Sequence, residues 1–572
     1  MNKFEEVLKV CTRLVLYATP LTQPRALSRV WCLFEVMTAV KLEMPIGIAM
    51  SADDRAELRR LLMDEFDTLA AMFTTIKSEN AEATVPADRD MIFGWIVREL
   101  GPIGFLKLDR LVADGMRLWL AEKAILMATE EEAAIGAEGM AEEWVGVARL
   151  VNRSSQLLRQ LGRLDDAEAL CMRAGVIRQA ILGPNHHNTG ESYNDLASIQ
   201  QEKNEFEKAE ANFCRALEIF EVAYGADDPV TGRAALNVAG LLQDKGDHDG
   251  AEPLCLRALA IFEAAPEIGE DHLDTCRACL CLVRLHHAKG DLEAAEPLCR
   301  RALDISEAAL GPNNPSTGVA ASTLAGLHHT RGDYDVAETL FRRALAISEA
   351  ANGTDHPATA RACEKLARSL QAKEDYDEAE QIFRRALAID EALGANALET
   401  GVSISNLAGL LQDKGEHGPA EPLARQALAI IEQAPGHGPN HPSTAVSLAN
   451  LARVLQDLGE LEEAELLAQR SLTVIREKYG QAHRSTVYCG ALASRTMLLR
   501  GGADAAEGRA AIEEALRVLA DPPHSFPHTH TQLARMRGWL ANATGAEEQE
   551  AAPRLCSARP PPPVKSAARV WS

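Results

Sequence analysis

Aromatic residues make up only 5% of this 572-residue chain. A core built on large rings is thereby excluded, and the 47% apolar content must be packed as Ala and Leu between closely spaced helices. Positive charge is short too: 59 Lys and Arg face 83 Asp and Glu, for a net charge of -24. Such a field repels phosphate, so duplex DNA, RNA and anionic membrane are excluded as default partners. No uninterrupted apolar run reaches about 18 residues, and no membrane span is expected. The opening "MNKFEEVLKVCTRLVLYATP" carries an acidic pair and no sustained apolar centre, unlike a secretory signal. Twelve cysteines lack the paired spacing of a disulfide scaffold, which predicts reduced thiols in a cytoplasmic protein. A phosphate-gripping glycine loop, a Ser-His-Asp order and a zinc signature are also missing, so the reading is of a non-enzyme without a cofactor or metal.

What the chain has is repetition. "RRALAISEA" at 342–350 returns as "RRALAIDEA" at 384–392, and Ala-Glu recurs at Ala167, Ala209, Ala251, Ala295, Ala337, Ala379, Ala420, Ala464 and Ala506. The steps are 42, 42, 44, 42, 42, 41, 44 and 42, and the deviations fall in connectors such as "APEIGEDHLDT". At 572 residues the chain exceeds one ordinary core, and a repeat array answers that excess.

Each unit reads as two helices. A first helix such as 231–246 stops at a glycine (Gly246, Gly290, Gly332, Gly415), and a second such as 249–265 follows. Thr189, Thr231, Thr275, Thr317, Thr359, Thr400, Thr444 and Thr486 stand where the spacing predicts an N-cap oxygen for the first helix. The connector histidines His272, His356, His441 and His483 are read as loop-shaping groups.

Three positions recur in register. Four residues after the repeat alanine come Cys171, Phe213, Cys255, Cys299, Phe341, Phe383, Ala424 and Ala468, and three further on a small residue from Ala174 to Ser471. Twelve before it stand Ala197, Ala239, Ala325, Ala367, Ala408 and Ala452. This small-large-small signature separates tetratricopeptide repeats from HEAT-type ones. With units of about 42 residues, "LNVAGLLQDKGDHDGAEPLCLRALAIFE" and "SNLAGLLQDKGEHGPAEPLARQALAIIE" resemble the repeats of kinesin light chains and nephrocystin-like proteins. The resemblance implies an all-α fold, a right-handed superhelical solenoid of about nine repeats. It also implies a concave groove for an extended peptide. No heptad segment for a motor heavy chain is seen, and that partner is not carried over.

In such arrays the residue fourteen before the repeat alanine faces the groove: here Asp195, Asn237, Cys281, Thr323, Lys365, Asn406 and Asn450. Asn suits an extended backbone because its amide both donates and accepts. Arg284 and Arg368 lie three residues further on the same face, with Arg277 and Arg361 one turn earlier, and with Lys365 they form a basic patch that predicts an acidic peptide ligand. Arg153 and Arg159 form a second one. His287 and His329 share a register, but no carboxylate or thiol recurs with them, and no metal is expected there.

The first 125 residues do not repeat. "TRLVLYATPL" and "PIGIAMS" read as buried strands alternating with helices, a small partial α/β unit. "SRVWCLFE", residues 28–35, resembles a segment of Toll/interleukin-receptor (TIR) domains. The resemblance places Glu35 as the ribose-binding glutamate of NAD-cleaving members, and it gives the alternative function: a TIR-like signalling or NAD-cleaving module whose array recruits or regulates. The expected organisation is a TIR-like fragment at 1–125, a linker helix at 126–141, the array at 142–540 and a disordered Pro/Ala-rich tail at 541–572.

Overall fold

The computed structural model describes residues 14–17, 46–49, 52–66, 86–100, 104–135, 140–393, 397–434, 438–481, 483–520 and 535–541, with isolated positions at 32, 35, 38, 39, 78 and 81. The chain divides into two compact units, 1–436 and 437–572.

The first unit opens with β1 (Leu14–Tyr17) and β2 (Ile46–Ala49), which pair in parallel with Leu14 opposite Ile46. That pair is the whole sheet among the described residues, and it lies within the two segments expected as strands. α1 (Ala52–Asp64), α2 (Pro86–Leu100) and α3 (Gly104–Ile135) follow. They share a core of Leu58, Leu62, Ile92, Ile96, Leu108 and Leu120 that runs on into the first repeat.

Seven helix pairs complete this unit. They are α4 (Ala141–Gln160) with α5 (Leu164–Leu182), α6 (His187–Glu202) with α7 (Phe206–Tyr224), and α8 (Pro229–Lys245) with α9 (His248–Ala264). Next come α10 (Leu273–Lys289) with α11 (Leu292–Leu310), and α12 (Pro315–Arg331) with α13 (Tyr334–Asn352). The last two are α14 (Pro357–Ala372) with α15 (Tyr376–Leu393), and α16 (Ala397–Asp413) with α17 (His417–Gln433). From α3 to α17 each helix packs on the next in sequence, and α3 also meets α15 further along. The second unit holds two more pairs: α18 (Pro442–Leu458) with α19 (Leu461–Tyr479), and α20 (Arg484–Arg500) with α21 (Gly502–Ala520). This is the serial stacking of a solenoid, in which each pair has an apolar face it cannot bury alone.

The recurring small positions are the seam. Ala167, Ala209, Ala251, Ala295, Ala337, Ala379, Ala420 and Ala464 are fully buried, as are Ala197, Ala239, Ala325, Ala367 and Ala452. A methyl there lets paired helices touch, and Phe213, Phe341 or Phe383 fills the space between. The glutamate after the repeat alanine takes the cation at the end of the next repeat's first helix or just beyond it. The pairs are Glu168 with Lys203, Glu210 with Lys245, Glu252 with Lys289, Glu296 with Arg331, Glu338 with Lys373 and Glu380 with Lys414, at 2.5–2.9 Å. The "RRALAISEA" phrase pairs with its own copies in the same way, since Glu349 meets Arg385 at 2.7 Å and Glu307 meets Arg343 at 2.7 Å. One such pair at a surface is worth under about 1 kcal/mol, so their value lies in holding register repeat after repeat.

The threonines are not N-caps, contrary to the expectation. The caps lie three residues earlier. Asp228 and Asn314 accept from the backbone N–H two residues on, and so does Nδ1 of His186, His272, His356, His441 and His483, at 3.1–3.2 Å. An imidazole can do this only with Nδ1 unprotonated. The threonines sit one turn inside the helix, where their hydroxyls donate backward to the carbonyl of the glycine six residues before. Thr189 reaches Gly183, Thr231 Gly225, Thr275 Gly269, Thr317 Gly311, Thr359 Gly353, Thr444 Gly438 and Thr486 Gly480, at 2.7–2.9 Å. Thr317 is fully buried and also reaches Ser306 O at 3.2 Å. Thr317→Val keeps the shape and removes the donor, and the expected loss is about 1–2 kcal/mol in a urea titration. The expected glycine stops are present: Gly246, Gly290, Gly332 and Gly415 have φ of 82°, 80°, 90° and 86°.

Candidate functional site

The first helices of successive repeats carry the residues expected in the groove, and the structure brings them together in an unforeseen way: they bond to one another along the stack. Asn152 Nδ2 donates to Asp195 Oδ2 at 2.8 Å, and Asn237 Nδ2 to Asn194 Oδ1 at 2.7 Å. Lys365 Nζ donates to Ser322 Oγ at 3.0 Å, and Asn406 Nδ2 to Glu364 Oε1 at 3.3 Å. Thr323 bonds back to its own helix at Val319 O. Asn450 lies on α18 in the second unit, and its side chain also has partners.

A second row of rungs escaped the sequence reading. Eight residues before the repeat alanine stands Gln201, Gln243, His287, His329, Gln371, Gln412 or Gln456, so the signal was there in the recurrence of one residue type. Gln201 Nε2 reaches Asp244 at 2.6 Å, Gln371 Nε2 Asp413 at 2.7 Å, and His287 Nε2 Thr330 Oγ1 at 3.1 Å.

The basic residues separate into two groups. Arg284, on α10, sets its Nε and Nη2 on Gln243 Oε1 at 2.9 and 2.6 Å. Arg277 stands 3.5 Å from Asp274, which Arg233 also holds at 2.8 Å. Two repeats on, Arg361, Lys365 and Arg368 share one face of α14. Arg361 is exposed and 3.7 Å from Glu399. The Lys365 ammonium is held below the usual lysine range by desolvation and then by Arg361 and Arg368. Arg368 is also pulled down by desolvation, against the opposing pull of Glu364. Both nevertheless reach solvent. Glu364 itself is pushed up by burial, and the Ser403 and Asn406 hydrogen bonds to it oppose that rise. Beside them His329 is driven down to about 4 by burial and by Arg368.

Toward the start of the array, Arg149, Arg153, Arg178, Arg233 and Arg277 line a cavity of about 560 Å³ together with Asn152, Asn237, Glu191 and Asp195. Arg178 is 5% exposed; its Nη1 donates to Asn188 O at 3.0 Å and to Ser192 Oγ at 2.9 Å, and its Nε has no partner. The Asn152 Oδ1 is likewise buried and unpartnered. Arg153 lies over the Phe66 ring at 4.4 Å. Arg159, the other basic residue noted in this repeat, is paired with Glu202 at 2.6 Å.

In the N-terminal segment, Ser28, Arg29 and Trp31 lie outside the described residues. Cys32 and Glu35 lie on helix and are half-buried, and burial raises the Glu35 carboxyl.

Two tetratricopeptide-repeat models match the chain. One covers residues 146–221, 274–350, 320–392, 359–433 and 399–477, and the other covers 231–274, together more than half of the sequence. The chain belongs to the tetratricopeptide-repeat family. No curated protein matches it. Among solved structures it is similar to the nearly identical tetratricopeptide-like repeats of a Podosopora anserina kinesin light chain, at 25% identity over 36% of this chain and 98% of that one, TM-score 0.32. It is similar as well to BtubC from P. vanneervenii, at 22% identity over 39% and 90%, TM-score 0.36. A Rap protein complexed with competence and sporulation factor aligns at 15% identity over 68% and 99%, TM-score 0.44. As a tetratricopeptide-repeat array the chain is a protein-interaction scaffold. No described helix is long and apolar enough to cross a membrane.

Proposed function

We propose that this tetratricopeptide-repeat protein binds an extended acidic segment of a partner protein along the face formed by its first helices, without catalysing a reaction. The observation that carries the reading is the α14 cluster. Arg361, Lys365 and Arg368 crowd positive charge onto one face in a chain whose net charge is -24, and the half-buried carboxylate beside them, Glu364, is already engaged by Ser403 and Asn406. An incoming carboxylate relieves that repulsion and gains charge-assisted hydrogen bonds in a partly desolvated setting. The Asn406 and Gln371 rungs beside it each commit an amide hydrogen to a neighbouring first helix, and an amide carries a second hydrogen and a carbonyl oxygen with which to meet an extended backbone.

The test is a fluorescence anisotropy titration with a labelled peptide alternating Glu and Gly, at low and at physiological salt. Lys365→Glu/Arg368→Glu is expected to weaken binding at least ~10-fold, with the wild-type affinity falling as salt rises. Arg384→Glu, an exposed arginine on α15 paired within its own helix, is expected to leave affinity unchanged. Equal affinity in the α14 double variant and wild type overturns the proposal.

A further inference from the structure

One pair of side chains in the array lies apart from the α14 cluster. Cys255 on α9 and Cys281 on α10 place their sulfurs 2.8 Å apart. Cys255 is fully buried, whereas Cys281 is half-buried. Gln243 of α8 holds the pair: its Nε2 lies 3.4 Å from Cys281 Sγ, 3.8 Å from Cys255 Sγ and 3.0 Å from Cys281 O. The two Arg284 bonds to its Oε1 keep that amide turned toward the sulfurs.

We propose that Cys281 and Cys255 form an oxidative modification site, which hydrogen peroxide closes to a disulfide between α9 and α10. Geometry limits the movement required: a disulfide needs sulfurs about 2.05 Å apart, so they approach by less than about 1 Å. Electrostatics selects the attacking sulfur. The Cys281 thiol is lowered, first by the hydrogen bond from Cys255 and then, against its desolvation, by Arg284 and Gln243, while Cys255 is raised. Burial raises Cys171 and Cys299 to about 12 and Cys279 and Cys363 to about 11, and it raises Cys214, Cys276 and Cys489 as well.

The Cys281 thiolate, its proton given to solvent, attacks one peroxide oxygen. The O–O bond breaks, Cys281 becomes a sulfenic acid and hydroxide leaves, taking the Cys255 proton to form water. The Cys255 thiolate then attacks the Cys281 sulfur, the S–S bond forms, and the second hydroxide leaves to take up the solvent proton. Two thiols are oxidised and one peroxide is reduced to two waters.

The test uses the reduced full-length protein, treated with equimolar hydrogen peroxide, quenched with N-ethylmaleimide and digested with trypsin without reductant. The expected product links segments 246–257 and 278–284, with two thiols lost per chain. Because the second segment also carries Cys279, the link must persist in Cys279→Ser and vanish in Cys281→Ser. Position 281 is only half-buried, the fold of Cys281→Ser is checked by circular dichroism, and its thiol loss is expected to be at least ~10-fold slower. The proposal is overturned if the link survives in Cys281→Ser, joins other cysteines, or never forms while Cys281 proceeds to sulfinic acid and Cys255 stays alkylatable. None of these outcomes depends on whether the acidic peptide binds.

Discussion

Phe262→Ala is expected to remove about 3–5 kcal/mol of stability, the cost of taking a large ring out of a core that cannot collapse around the gap. Phe262 is fully buried on α9, and its ring lies so close to α8 that a Cβ on Gly232 would fall 2.9 Å from Cε1. The helices have approached to the limit that glycine allows, so neighbouring side chains have little freedom to slide into the vacated space. Because α8 and α9 pack chiefly on each other and on α7 and α10, the loss stays local: hydrogen exchange is expected to lose protection from α8 to α10 first, and a urea titration to split into separate transitions. A loss under about 1 kcal/mol with a single sharp transition would show that the seam repacks.

The second large effect is with pH. The His329 pKa is lowered to about 4 in the folded chain, against about 6.5 for an unperturbed histidine. The folded state therefore binds fewer protons than the unfolded one between those values. The stabilisation is complete above about pH 6.5 and is lost as pH falls through that window, at most about 3 kcal/mol in total. His186 and His356 are lowered by burial too and act in the same direction, with the added loss of their Nδ1 caps on protonation. Glu364 and Asp390, raised by burial, act in the opposite direction. Gln occupies the His329 position in five other repeats, so His329→Gln is a replacement the architecture already uses. Stability measured from pH 7 to 4.5 should fall much less steeply in that variant. A slope equal to wild type would remove His329 from the account.

The repeat, its period and its seam were all legible in the sequence, because small residues recurring at fixed offsets have one physical use, close approach of helices. That these side chains share one face of the first helices was legible for the same reason, since a fixed offset fixes a face. What offset alone does not tell is the partner. Asn237 and Lys365 were expected to await a ligand, and they bond to the preceding first helix, 43 residues away in each case. Thr317 was expected to cap because Thr is a good cap and stands near a helix start. Its carbonyl partner across the connector belongs to tertiary structure, while Asn314 and the connector histidines cap two residues from the amides they serve. The Ala-Glu dipeptide served to count repeats before its glutamate was known to grip the next one.

The threonine latch also bears on how such a chain can vary. Gly269 and Thr275 keep the same six-residue separation as Gly225 and Thr231, although the connector before Thr275 is two residues longer. The additional residues therefore accumulate upstream of the glycine, where they lengthen a surface bridge and leave untouched the joint that aims the following helix. A connector lengthened there keeps the glycine–threonine bond, which makes that spot the natural place to graft a foreign loop.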